Sequence, residues 1–294
     1  MHRSGTTARY EGACRPPIGL VHVVRRTFVA RRPYPEVHQE YFTDLLASYG
    51  ISPRPGAFDA GRTSYQEMVA ALLPELVPLA TGFDLAVLAH ASPDAEPGWP
   101  MCYLADAVPA AGLAFAVSDQ GATAPFTALR LVLGSAWASP PRLALILIMG
   151  NAAVLHDRPV PEPARITRDC AVALVLREGA DLTLESVRQL TRVPAQSVRA
   201  RLDDALREVG GPLTAILGQG LAGHVDGQVL AERVRWAAPG QPGTGIWSLL
   251  AQPQRDAPGC VVLGDYDAEL QYLSLSVFRR RHCVQTTRSL PGGN

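Results

Sequence analysis

Two rhythms of apolar and polar positions alternate along the chain. Ile18 to Val24 is a short apolar run of strand length. Glu36 to Tyr49 spaces its apolar positions as a helix does and stops at Gly50. Ser64 to Leu79 repeats that pattern, with Thr63-Ser64 and Glu67 at the spacing of a capping box. Phe83 to Ala89 is nearly all apolar, as parallel strands buried on both faces are. Leu113 to Val117 predicts another such strand, broken at Ser118-Asp119-Gln120-Gly121. Pro125 to Trp137 then predicts a helix and Leu143 to Met149 a buried strand. Strand, turn, helix, strand in that order is a βαβ unit.

The order then restarts. Cys170 to Leu176 is strand-like, and Thr183 to Leu190 and Ala195 to Val209 are expected to be helices. Leu213 to Leu217 reads as a strand, Gly245 to Ala251 as the start of a helix, and Cys260 to Asp265 with Leu270 to Phe278 as a closing strand pair. Two halves of similar order, 18–157 and 169–278, predict a layered α/β fold with internal duplication. Arg158 to Arg168, rich in proline and charge, is the expected link, short enough that the halves pack together. Residues 1–17 and 279–294 are polar and aperiodic and are expected to be loosely ordered tails.

Composition narrows the function classes. With 294 residues and 47% hydrophobic content, the chain can bury a large core. The 27 basic residues, all arginine, cancel the 27 acidic ones, so no overall field favours nucleic acid or an anionic membrane. Five cysteines (Cys14, Cys102, Cys170, Cys260, Cys283) are scattered without metal-ligand spacing, which points to a reduced cytoplasm and no metal site. No stretch has the length of a membrane span, and the N-terminus has no long apolar signal region. There is also no dinucleotide glycine loop, P-loop or GxSxG elbow, which disfavours nucleotide and redox chemistry.

The segment Phe115 to Leu129, FAVSDQGATAPFTAL, resembles the nucleophile segment of β-ketoacyl-carrier-protein synthase III and related thiolase-fold enzymes. In that design a buried strand turns into a helix whose N-terminal N–H groups and dipole stabilise a thiolate, which accepts an acyl group from a thioester. Four other stretches are similar in order and spacing: Thr63 to Met68, Phe83 to Asp94 with its Ser-Pro-Asp turn, Asp169 to Leu176, and Gly259 to Asp265. The resemblance spans roughly residues 18 to 278 and implies a thiolase-like fold of two similar halves, a dimer, and an acyl thioester on a carrier protein or coenzyme A as substrate, with no other cofactor.

Three departures stand beside it. Thr123 occupies the place of the family's cysteine, Gly218-Gln219-Gly220-Leu221 stands in place of a His-Gln-x-Asn motif, and Gly240-Gln241-Pro242-Gly243-Thr244 replaces the loop that supplies an asparagine. With them goes the means to stabilise a malonyl-derived enolate.

Thr123, Asp119 and His90 are accordingly the candidate catalytic residues, and Ser118, Gln120, Cys102 and Gln219 the candidate substrate contacts. Each has a plainer reading. Thr123 caps the helix entered through Pro125, Asp119 and Gln120 form a turn, His90 is a structural strand-end residue, and Cys102 is a small buried one. Trp99, Met101 and Tyr103 read as core or interface, and Arg279-Arg280-Arg281 as a solvated tail that could meet an acidic carrier protein or a phosphate. Two functions follow from the resemblance. One is an acyl-thioester-handling protein of specialised metabolism that moves or modifies an acyl group without a Claisen step. The other is a non-catalytic subunit that completes the pocket of an active ketosynthase-like partner.

Overall fold

The computed structural model describes residues 5–9, 17–29, 32–79, 82–108, 112–135, 141–225, 228–251 and 259–280. The expected positions Cys14, Trp137, Arg281 and Cys283 lie outside them. After β1 (Gly5–Arg9), the first half runs β2 (Ile18–Phe28), α1 (Glu36–Ser48), α2 (Tyr65–Leu76), β3 (Leu85–His90), α3 (Pro100–Ala107), β4 (Leu113–Val117), α4 (Ala124–Ser135), β5 (Leu143–Gly150) and β6 (Asp169–Glu178). It is followed by β7 (Leu182–Leu190), α5 (Val198–Val209), β8 (Leu213–Leu217), α6 (Gln219–Ala222), β9 (Arg233–Trp236), α7 (Gly245–Leu250), β10 (Cys260–Asp267) and β11 (Tyr272–Arg280).

The strand ladder shows the duplication directly. Its order is β4-β3-β5-β6-β2 and then β7-β11-β10-β8-β9, joined where Gly19 and Leu20 of β2 pair with Thr183 and Leu182 of β7. Read from its outer edge, each run places its third, second, fourth, fifth and first strand in the same sequence. In both, the second strand is parallel to the third and fourth, and the fifth is antiparallel to its neighbours. β6, read from the sequence as the opening of the second half, is therefore the fifth strand of the first, hydrogen-bonded between β5 and β2.

Two local expectations are corrected. Thr183 to Leu190 forms strand β7, not a helix. Leu184 faces Phe278 and Ser186 faces Val277, so Glu185 is an extra, bulged residue. The bulge moves the buried side chains from Leu184 to Val187, a spacing of three that imitates a helical period in the sequence. Gly5 to Arg9, expected within a loose tail, pairs antiparallel with the other edge of β7. At the opposite terminus Arg279 lies within β11, its guanidinium on Glu185 and on the Val209 carbonyl.

Among the described residues three large apolar clusters, beside a small one of Tyr34, Phe42 and Ala95, fill the spaces between five layers. The central one holds α4 and α7 between the two sheet halves, with Phe126 and Trp247 edge to face at 5.2 Å between centroids. One outer cluster packs α2 and α3 on the first half, and the other packs α5 and α6 on the second. Side chains of β3 alternate between layers: Val87 and Ala89 face the centre, Ala86 and Leu88 the outer helices. At the start of α2 the expected capping box is formed, with Ser64 Oγ accepting the Glu67 N–H and Glu67 accepting the Ser64 N–H. Among the described residues no helix is long and apolar enough to cross a membrane.

Candidate functional site

The C-terminal ends of the parallel strands β3 and β5 meet those of β8 and β10 across the pseudo-two-fold, and a cavity of about 370 Å³ lies there. Strand ends are where α/β folds leave backbone groups unpaired and loops free to vary. Apolar side chains in the cavity lining come from Phe42, Leu45 and Leu46 of α1 and from Val160, Pro161 and Ile166. These last three belong to the proline-rich segment read from the sequence as a link. Polar and acidic side chains share the lining: Asp94, Asn151, Gln219, Asp265, Asp267 and Glu269. Among the described residues no arginine lies on it.

Each polar side chain is held by an identifiable partner. Asp94 Oδ1 accepts the N–H of Tyr65, the first residue of α2, at 2.9 Å. Burial pushes its carboxyl up to about 6 against the pull of backbone N–H groups. Asn151 donates to the Thr63 carbonyl at 2.7 Å and receives the Ala153 N–H at 2.7 Å, and Ser92 Oγ accepts the Asn151 N–H at 3.0 Å. These bonds fix the loops after β3 and β5 to each other. Gln219, at the start of α6, donates its amide to the Ala237 carbonyl.

Asp265 and Asp267 leave the end of β10. Asp265 is 4% exposed, and its Oδ1 accepts the N–H of Tyr266 at 2.9 Å. Burial raises its carboxyl to about 7, opposed by the N–H groups of Tyr266 and Gly220 and aided by the charge of Asp267. Asp267 reaches across to the turn before α4, where its Oδ2 accepts the N–H of Ala122 at 3.1 Å. Its Oδ1 accepts the N–H of Leu270 at 3.0 Å.

Of the residues singled out from the sequence, Gln219 stands on the cavity wall, while at the nucleophile-like turn the wall is made by Gly121 and Ala122. Thr123 is fully buried. Its hydroxyl donates to the Gln120 carbonyl at 2.7 Å, so it neither accepts a capping N–H nor faces the cavity. Gln120 turns inward too, its side-chain oxygen accepting from Thr127, and Gln189 of β7 donates to the Thr127 hydroxyl and to the Thr123 carbonyl. Asp119 has a φ of 60° and accepts from the Ser118 hydroxyl at 2.7 Å in an exposed turn. The His90 ring lies edge-on to Tyr65 at 5.3 Å, its Nδ1 2.7 Å from the Ser92 carbonyl, and Cys102 is exposed on α3. The structure thus groups Gln120 with Thr123 and pairs Ser118 with Asp119, but it keeps His90 and Cys102 apart from both.

The acidic pair was missed in the sequence. Its signal was present: Gly264-Asp265-Tyr266-Asp267 puts two carboxylates two residues apart at the end of an apolar strand, hence on one face.

No protein-family model matches the chain, and no curated protein is significantly similar to it in sequence. Solved structures do match in shape. The chain is similar to AbyA1, a tetronic acid condensing enzyme, with 14% identity and a TM-score of 0.61 over 89% of this chain and 99% of that one. It is similar to the 3-oxoacyl-(acyl carrier protein) synthase III, FabH, of Pseudomonas aeruginosa PAO1, with 17% identity and a TM-score of 0.56 over 90% and 98%. A third likeness is to ChlB3, an acyltransferase, with 17% identity and a TM-score of 0.58 over 90% and 98%. At these identities the likeness establishes the fold, which is the thiolase-type fold of the ketosynthase III enzymes.

Proposed function

We propose that this thiolase-fold protein binds an acyl thioester, on a carrier protein or coenzyme A, in the cavity between its halves and transfers the acyl group directly to an acceptor without a Claisen step. The carrying observation is the cavity itself. Its lining combines apolar side chains suited to an acyl chain with ionisable groups at the strand ends. Absence of a cysteine at the turn and the inward-turned Thr123 hydroxyl argue against a covalent acyl-enzyme there. The solved structures similar in fold carry condensing and acyltransferase names, which agrees with a role in acyl transfer.

A second reading is favoured by one contact. The Ala122 N–H, which would serve as an oxyanion donor at the turn, is already taken by Asp267. A protein whose donor is occupied by its own carboxylate suits the role of a non-catalytic subunit beside an active ketosynthase-like partner. Either role suits a dimer. β4 is an outer strand of the ladder, Leu113 on it is 62% exposed, and among the described residues its outer edge is unpaired, which suits pairing with a second copy or a related chain.

Incubation with a panel of acyl-coenzyme A and acyl-carrier-protein thioesters, with hydroxyl and amine acceptors, separates the readings. Free thiol release that depends on the acceptor, with no mass gain on the intact protein, supports direct transfer. A stable protein adduct refutes the direct route. Neither release nor adduct, with a stable complex to a ketosynthase, supports the subunit role.

A further inference from the structure

Among the described residues, one carboxyl is shut away from bulk water and still forms part of the cavity wall. Asp265 lies two residues before the end of β10, a strand hydrogen-bonded on one side to β8 and on the other to β11. Two glycines make the slot for its carboxyl. A Cβ on Gly218 would lie 2.1 Å from the Asp265 Cγ, and one on Gly220 would lie 2.9 Å from its Oδ1. No side chain at 218 is compatible with the carboxyl where it stands, so the β8–α6 turn is shaped around this acid.

Two of the other acids in the lining hold backbone groups, and the third, Glu269, is exposed to solvent. Asp94 anchors the first turn of α2, and Asp267 bridges Ala122 and Leu270. Facing Asp265 are the β8–α6 turn, which carries no titratable side chain at 218–220, Ser274 across β11, and Tyr266 and Asp267 on its own strand. Asp94, His156, Tyr34 and Glu269 are the remaining titratable groups on the cavity wall. A buried carboxyl that changes charge near neutrality can both take and return a proton at working pH.

We infer that Asp265 is the proton-transfer residue of the acyl transfer proposed above. As a carboxylate it takes the proton of an acceptor hydroxyl or amine while that oxygen or nitrogen bonds to the thioester carbonyl carbon. The carbon–sulfur bond then breaks, and the Asp265 carboxylic acid returns the proton to the departing thiolate. One ester or amide and one thiol form from one thioester and one acceptor, and no group is oxidised or reduced.

The inference rests on the acyl-transfer reading, and the test separates the two. Thiol release by the full-length protein is followed from pH 5 to pH 9 for wild type and Asp265→Asn. Binding of a non-transferable thioether analogue of the acyl-coenzyme A is measured in parallel. The wild-type rate is expected to rise with pH and level off above about 7, a behaviour that depends on no variant. Asp265→Asn, which keeps an acceptor for the Tyr266 N–H, is expected to lower the rate by roughly 10²- to 10⁴-fold and to abolish the inflection. Its binding of the analogue should stay within about twofold, the uniform-binding limit for a group that acts only in the reaction. Wild-type transfer that is flat in pH, or an Asp265→Asn variant with wild-type rate and inflection, overturns the role of Asp265 alone. Absence of transfer by wild type overturns both the role and the acyl-transfer reading.

Discussion

The Asp267 carboxylate accepts the backbone N–H of Ala122 from 145 residues away, closing the tip of the β10–β11 hairpin onto the turn that precedes α4. Gly121 makes the approach possible. Its φ is +50°, and a Cβ there would meet Asp267 Oδ2 at 2.0 Å. The contact ties equivalent ends of the two halves together and holds a backbone donor away from any ligand.

Asp267→Ala removes both hydrogen bonds. It is expected to lower stability by about 1–3 kcal/mol, the usual cost of leaving such donors without their charged acceptor. It should also free the Ala122 N–H to meet a thioester oxygen. Thermal unfolding checks the first effect, and tighter binding of the thioether analogue checks the second.

Gly218→Ala places a methyl group against the Asp265 carboxyl and is expected to cost about 1–3 kcal/mol through overpacking. In the double variant with Asp265→Ala the clash has no partner, so the two effects should be strongly non-additive. Denaturant titration of the four proteins measures the coupling. Additive losses would mean that the two residues do not share one slot.

The raised carboxyl of Asp265 makes stability depend on pH. Its folded value of about 7 lies above the unfolded value of about 3.9, so the folded state holds the proton more tightly. The contribution is fully present below pH about 4, is lost as pH rises through about 7, and is constant above that. Asp94, raised to about 6, acts in the same direction over a slightly lower window. Asp265→Asn is therefore expected to flatten the fall in stability between pH 4 and pH 7. Melting temperatures across that range decide it, and an unchanged slope would contradict the burial of an ionisable group there.

Trp247→Ala opens the central layer. The indole is fully buried against Phe126 of the other half, and its loss is expected to cost about 3–5 kcal/mol. Since one cluster spans both sheet halves, unfolding should remain a single transition in wild type and separate into two steps in this variant. Calorimetry reads this directly.

Thr123→Val keeps the side-chain shape and removes the hydrogen bond to the Gln120 carbonyl, which is expected to cost about 1 kcal/mol. Acyl transfer should be unchanged. A transfer rate that collapses with Thr123→Val would restore the threonine as a nucleophile.

Much of the architecture was present in local pattern. The apolar runs of β3, β4, β5 and β8, the Ser64–Glu67 capping box and the helix after Gly121 follow from side-chain periodicity and turn chemistry, which act over a few residues. The motif around Phe115 to Leu129 carried the layered fold with it. Local pattern misread β7, because a single bulged residue at Glu185 shifted its alternation, and a bulge exists only relative to the strand beside it. It also assigned β6 to the wrong half, since the partner of a strand is chosen by hydrogen bonding across the sheet, not by proximity in sequence.

The site shows the same division. Sequence by itself determined which chemical groups the chain has to offer and which it lacks: no cysteine at the turn, glycines at 218 and 220, and two aspartates after an apolar strand. Only the tertiary structure decided which of them share a space. Thr123, Gln120 and His90 turn into hydrogen bonds with their own surroundings, while Asp265 is drawn into a slot 47 positions along the chain from the Gly218 that makes it. A side chain's burial, and with it the proton it holds, depends on what the rest of the chain packs around it.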